Sequence, residues 1–154
     1  VDDIFNEFTA KITTYMYPST PKRREETMEF IIGAREAAEK GEELQVSIFK
    51  NDTNEFLGGA GLHNLQNEMP ELGIWIKHSA HHHGYGKEAI LGLIDFAKQH
   101  TKATHLCYPV DKDNLPSRKI PESLGGIIMR AFDKLTPRGV ILHTLEYSIP
   151  MRDK

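Results

Sequence analysis

Ile4, Phe5, Phe8 and Ile12 recur at helical spacing and predict a helix from Asp2 to about Tyr15, with Asp2 or Asp3 as its cap. Pro18-Ser19-Thr20-Pro21 then breaks the chain. Thr20 reads as the N-cap of a second helix, with Pro21 at the first helical position, where its missing N–H costs nothing. Met28, Ile31, Ile32 and Arg35 lie on one side of that helix, and Gly41 ends it after about Lys40. The period then shortens. Leu44 to Ile48 alternates as a half-buried strand, Asn51 to Asn54 is a turn, and Phe56 to Leu62 is the hairpin partner. Gly58, Gly59 and Gly61 in that partner imply a bulge or a close backbone approach. Glu71 to Ile76 is a third strand.

Gly84 to His100 is the clearest helix, striped by Ile90, Leu93, Ile94 and Ala97. His105 to Val110 is a short strand whose length Pro109 limits. Ser117 to Leu124 is a short helix stopped by Gly125-Gly126, and Pro121 inside it predicts a break or a later start. Ile127 to Phe132 and Val140 to Ile149 complete the pattern as an antiparallel pair through Pro137-Arg138-Gly139, with Ile141, Leu145, Tyr147 and Ile149 on one face. Alternating helices and strands without repeats or linkers predict a single α/β or α+β domain over residues 1–154.

Composition narrows the function classes. Hydrophobic residues make up 39% and charged residues 27% of 154 positions, as in an ordinary globular domain. A net charge of −3 argues against a nucleic-acid partner, which would want a basic face. Apolar runs such as Val140-Ile141-Leu142 are far too short to span a membrane. The single cysteine, Cys107, excludes an internal disulfide and fits a reducing, cytoplasmic setting. The chain does not begin with Met, so a natural N-terminus ahead of Val1 is expected.

The chemistry concentrates between Glu71 and Gly125. His81-His82-His83-Gly84-Tyr85-Gly86-Lys87 lies between a strand and a helix. Amides at a helix start lack partners, the helix dipole adds positive potential, and glycine admits a ligand close to the backbone. Such a loop suits a phosphate or pyrophosphate. It is not a P-loop, because Glu88 follows Gly86-Lys87 and no glycine stands at position 81. It is a poor Rossmann fingerprint, because the first glycine comes eight residues after the strand.

Taken together, Glu71-Leu72-Gly73-Ile74-Trp75-Ile76, Gly84-Tyr85-Gly86-Lys87-Glu88-Ala89, Asn114-Leu115-Pro116-Ser117-Arg118-Lys119 and Ser123-Leu124-Gly125-Gly126 resemble the GNAT superfamily of acyl-CoA-dependent N-acetyltransferases. The resemblance is nearest to its ribosomal-protein N-terminal acetyltransferase-like branch. It covers the chain from Asp2 to Ile149, without the family's leading strand. It implies a mixed, mostly antiparallel sheet with helices on both faces and splayed central strands.

The resemblance also implies roles. His81, His82, His83, Gly84, Tyr85, Gly86 and Lys87 would hold the CoA pyrophosphate, with His81 standing where Gln or Arg is usual. The strand through Trp75, Ile76 and Lys77 would pair with the pantetheine arm, and the thioester would sit between it and Leu106 to Tyr108. Asn114 would bond the pantetheine and Ser117 the thioester sulfur. A substrate ammonium must lose a proton before attack. Glu71 is the candidate base, a backbone N–H near Trp75 or Ile76 the oxyanion donor, and Ser117 the donor to the leaving thiolate; Tyr108 and Tyr147 are the lesser alternatives.

The implied activity is acetyl transfer from acetyl-CoA, a cosubstrate, to a primary amine of a protein N-terminus or small molecule. The alternative is a non-catalytic acyl-CoA-binding or interaction domain, favoured by the departures at His81, Pro121 and Gly126, the last standing where the family usually has Phe. No metal, nucleic acid or membrane is expected, and a homodimer is open.

Plainer readings stand beside these. Glu71 could be an exposed carboxylate, Asn114 and Ser117 helix caps, and Trp75 a core residue. Cys107 reads as a small buried apolar side chain rather than a nucleophile. Lys22-Arg23-Arg24 reads as a solvated first turn, although exposed cations at a CoA mouth would attract acidic groups. His78, His81, His82 and His83 are too close in sequence to converge on a metal. Asp111-Lys112-Asp113-Asn114 has Pro116 where a calcium loop needs glycine.

Overall fold

The computed structural model describes residues 1–151. The helices are α1 (Asp2–Glu7), α2 (Arg24–Glu39), α3 (Tyr85–His100) and α4 (Leu115–Ser123), with 3-10 turns over Ile12–Tyr15 and His78–Ala80. The strands are β1 (Leu44–Phe49), β2 (Phe56–His63), β3 (Glu71–Ile76), β4 (His105–Asp111), β5 (Ile127–Leu135) and β6 (Ile141–Pro150). They form one six-stranded sheet in the order β1-β2-β3-β4-β6-β5. Every neighbouring pair is antiparallel except β3 and β4.

Helices cover both faces. Side chains of successive strand residues alternate between faces, so Leu72, Ile74 and Ile76 share one and Glu71, Gly73 and Trp75 the other. The first face receives α3, whose predicted stripe of Ile90, Leu93, Ile94 and Ala97 is buried against Leu62, Leu72, Leu106 and Tyr108. Each of the three larger side chains, Ile90, Leu93 and Ile94, contributes roughly 1.5–3 kcal/mol on burial. The second face receives α1, where Phe8 packs on Trp75 with ring centroids 4.9 Å apart.

The parallel junction is short. Glu71 opposite Cys107 is its single paired position, held by the Cys107 amide donating to the Pro70 carbonyl at 2.9 Å. Beyond it the strands part, giving the splayed centre that the resemblance implies. Pro109 does not shorten β4, contrary to expectation. The Cys107 amide points to β3, and strand alternation directs position 109 the same way, into the opening. A proline there forfeits no ladder bond.

The N-terminal segment departs most from the sequence reading. The helix predicted to Tyr15 stops at Glu7 and resumes only as the 3-10 turn, and neither Asp2 nor Asp3 caps it. Asp2 pairs with Arg24 at 2.5 Å. The second helix starts at Arg24 rather than Pro21. Its start is set by Glu26, whose carboxylate accepts the amides of Lys22 and Arg23 and is held below the usual range by them. Thr20 instead bonds Thr13, hydroxyl to hydroxyl, at 3.0 Å. Asp2 is taken by a partner 22 residues away, while the start of α2 follows another local signal, the Glu26 capping carboxylate, in place of Thr20-Pro21.

The helix predicted from Ser117 begins earlier, at Leu115, and Pro121 breaks nothing. Ile141 shares a face with Tyr147 and Ile149, as predicted, but lies exposed at the strand end.

Candidate active site

The loop before α3 is shaped by two left-handed residues, His82 at φ 68° and Gly84 at φ 77°. Glycine takes this conformation without strain, whereas an L side chain does not. His81 anchors the loop. Its Nε2 lies 2.7 Å from the Ile76 carbonyl, which can only accept, so the ring nitrogen carries the proton. The first bond of the helix runs from the Glu88 amide to the Gly84 carbonyl at 3.1 Å. The amides of His82, His83, Gly84, Tyr85, Gly86 and Lys87 therefore donate to no acceptor among the described residues. Consecutive free amides at the positive end of a sixteen-residue helix suit a pyrophosphate. Gly86 faces Ile120 of α4 and Ile76 of β3, so the loop, the strand end and α4 meet.

The strand contributes an open edge. The Lys77 amide donates to the Leu57 carbonyl at 2.7 Å, across to β2. By ladder alternation Trp75 and Gly73 face β2 as well, while Ile74 and Ile76 turn their backbone groups toward the opening. Of the expected strand contacts, Ile76 stands on the open edge, and Trp75 and Lys77 offer their amides to β2. The Lys77 ammonium is also committed, to Glu55 at 2.9 Å.

The opening widens into a cavity of about 780 Å³. Glu71, Trp75, Asn114 and Ser117 all line it, so four of the residues singled out in the sequence converge there. Trp75 stacks between Phe8 and Phe56, which makes it a wall of the cavity rather than an isolated core residue. The Glu71 carboxylate has no hydrogen bond or ion pair among the described residues, while its backbone pairs with His63 of β2. The nearby carboxylate of Glu146 is instead bound by Arg130 at 2.7 Å. Glu71 is thus the acid in this region left to face a ligand.

Asn114 caps α4, accepting the Ser117 amide at 3.4 Å. Pro121 explains the rest of the helix. It has no N–H to give the carbonyl four residues earlier, which belongs to Ser117. The Tyr108 hydroxyl donates to that carbonyl instead, at 3.1 Å, and lies 2.6 Å from the Ser117 hydroxyl. The proline thus makes room for a Tyr108–Ser117 pair at the cavity edge. Burial pushes the Tyr108 phenol up to about 12, so it stays protonated at neutral pH. Tyr147 is engaged elsewhere, donating to Glu122 at 2.6 Å and accepting from Arg118 at 3.1 Å. Gly126 is also accounted for. A Cβ there would come 2.7 Å from the Pro121 carbonyl oxygen, so no larger residue fits without a backbone shift.

Other candidates have structural partners. Cys107 is buried, and burial with the nearby Glu146 and Glu71 charges raises its thiol to about 12, which makes it inert. Asp111 uses one carboxylate oxygen for the Asp113 amide and the other for the His143 amide, tying β4 to β6. Of the basic run, Arg24 is paired with Asp2.

The resemblance implies that the segment from Asp2 to Lys40 and the final hairpin shape the acceptor pocket, without singling out side chains. Tyr15, Tyr17 and Pro18 of the first stretch and Phe132 and Lys134 of the second line the cavity. No local signal marks these side chains, because the α1–α2 connection and β5 reach the cavity only through the fold.

Comparison with known proteins agrees with this geometry. A family model described as "Acetyltransferase (GNAT) domain" matches residues 1–127. No curated protein matches the chain. Among solved structures, a protein from Vibrio cholerae described as a ribosomal-protein-serine acetyltransferase superposes with a TM-score of 0.76 at 21% identity, over 97% of this chain and 90% of that one. RimL, a ribosomal L7/L12 alpha-N-protein acetyltransferase, gives 0.83 at 15% identity over 97% and 82% without ligand. In complex with coenzyme A it gives 0.83 at 16% over 98% and 87%. At such identities the likeness concerns the fold. The family match spans most of the sequence, and the chain therefore belongs to the GNAT family of acetyl-CoA-dependent acetyltransferases.

Proposed function

We propose that the protein acetylates a primary amine, of a protein N-terminus or a small molecule, by direct attack on the thioester of acetyl-CoA with no acyl-enzyme. The observation that carries this reading is the open edge of β3 at Ile74 and Ile76. It runs from the free amides of residues 82–87 to the cavity holding Glu71. An extended pantetheine would add to that edge as a strand does, the pyrophosphate resting on the loop amides. Pro109 has no N–H to compete for the arm from the β4 side.

In this reading Glu71 holds the acceptor ammonium and takes its proton, directly or through water. The amine nitrogen then bonds the thioester carbon, and the Ile76 amide donates to the developing oxyanion. Collapse breaks the C–S bond and leaves the amide product and a thiolate. The Ser117 hydroxyl, 2.6 Å from the Tyr108 oxygen, turns its own proton to that sulfur while the Tyr108 proton stays on the Ser117 carbonyl. A phenol near 12 is a much weaker acid than a thiol of about 8.5. The pair therefore stabilises the thiolate by hydrogen bonding, and water supplies the proton.

The experiment is an acetyl-CoA assay against peptides with different N-terminal residues and a set of small amines, read by thiol release and product mass. At least one N-acetylated product is expected, and Glu71→Gln should lower kcat by roughly 100-fold or more. Binding of coenzyme A without any acetylated amine would replace this reading with that of a binding domain. An unchanged rate in Glu71→Gln would remove Glu71 as the base.

A further inference from the structure

We propose that Arg138 is a positioning residue that sets the acceptor side of the cavity. It sits at the tip of the β5–β6 turn. One of its guanidinium nitrogens donates to the carbonyls of Thr13 at 2.7 Å, Thr14 at 3.2 Å and Met16 at 3.0 Å. The other donates to Pro18 at 3.1 Å. One side chain thus holds four carbonyls of a segment more than 100 residues away.

That segment has little else to fix it. Between α1 and α2 it contains only the 3-10 turn and joins no strand. The Thr13 carbonyl also accepts the Met16 amide at 2.9 Å, the other three carbonyls accept no backbone amide among the described residues, and a cation there also meets the negative end of the dipole. A planar guanidinium with its fork of donors can satisfy several at once, which a lysine cannot. Lys134 adds a second tie, its ammonium 4.3 Å from the centre of the Tyr17 ring.

The turn presenting Arg138 is itself firm. The Thr136 amide donates to Val140 at 2.8 Å, the Val140 amide to the Thr136 hydroxyl at 3.1 Å, and Gly139 to Thr136 at 3.0 Å. The clasped segment supplies Tyr15, Met16, Tyr17, Pro18 and Thr20 to the cavity wall. Arg138 therefore fixes the width of the cavity where an acceptor would enter. This inference rests on the proposed acetyl transfer for its kinetic part, and on geometry alone for the clasp.

The test compares Arg138→Ala and Arg138→Lys with the wild type. Hydrogen exchange is followed over residues 12–18, and KM is measured for acetyl-CoA and for the panel peptide of highest kcat/KM. Arg138→Ala should speed exchange at 12–18 and raise the acceptor KM roughly tenfold, with the acetyl-CoA KM within about twofold. Arg138→Lys should fall between. Exchange left unchanged, an unchanged acceptor KM, or both KM values moving together would overturn the proposal. If Arg138→Ala does not fold, Lys134→Ala should move the acceptor KM in the same direction by less, and no movement would count against it. If the wild type acetylates nothing, the functional reading falls, and exchange at 12–18 alone decides the clasp.

Discussion

Cys107 is the residue whose environment most changes its chemistry. It is the sole thiol in the chain, yet it lies buried beside two carboxylates. Its thiol rises from an ordinary 9.0 to about 12. A raised value means that the folded state keeps a proton the unfolded chain releases. Stability from this source is complete below pH 9 and is lost as pH climbs toward 12, by about 1.4 kcal/mol per pH unit. Denaturation midpoints should fall from pH 9 upward in the wild type. In Cys107→Ala the fall should begin about one unit later, where unfolded tyrosine titrates and Tyr108 in the fold does not. Disulfide reagents should modify the native thiol only slowly at pH 8. At the same scale, Ser117→Ala should lower kcat by roughly ten- to 100-fold, the worth of one hydrogen bond to a charged sulfur. Tyr108→Phe should cost less, since the serine keeps its own proton. Steady-state rates with saturating acetyl-CoA distinguish the two.

At the scale of elements, α4 and the start of β5 depend on each other. Pro121 leaves a carbonyl for Tyr108, and its own carbonyl accepts the Gly126 amide at 2.8 Å. The two oddities of this region thus form one packing solution. Gly126→Ala would drive a methyl against a backbone oxygen and should destabilise by about 1–3 kcal/mol, measured as a lower urea midpoint with an unchanged slope. The equivalent change at Gly92, where a Cβ meets nothing within 4 Å, should be neutral or stabilising. The β3–β4 junction shows the opposite design. One paired position holds the strands together at Glu71 and Cys107, and beyond it β3 pairs with no strand on that edge.

At the scale of the molecule, a sheet open at its centre has a ligand-shaped gap, and filling it should stabilise the fold. Coenzyme A at 100 times its Kd should add about 2.7 kcal/mol and raise Tm, while ATP and NAD at equal concentration should not. A thermal scan with each compound checks this. Much of the architecture was legible in advance. The spacing of Ile90, Leu93, Ile94 and Ala97 predicts α3, and the alternation from Glu71 to Ile76 predicts β3 at its observed ends, because burying one face forces a period that the residues themselves carry. The glycine loop was legible for a similar reason, since amide donors at a helix start are local chemistry, whereas Glu71, Asn114 and Ser117 were singled out by the family resemblance and the structure brings them to one cavity. The N-terminal breaks were not, because Arg24 with Asp2 and Arg138 with the segment after Thr13 act across the chain. Nor was the partnership of Tyr108 with Ser117, or the harmless position of Pro109. The sequence by itself determined the strands, the α3 helix and the glycine-bearing helix start, because these rest on residues close together along the chain. Only the tertiary structure decided which backbone edge stays open and which distant side chains wall the cavity, because those depend on how strands part in space rather than on any neighbour along the chain.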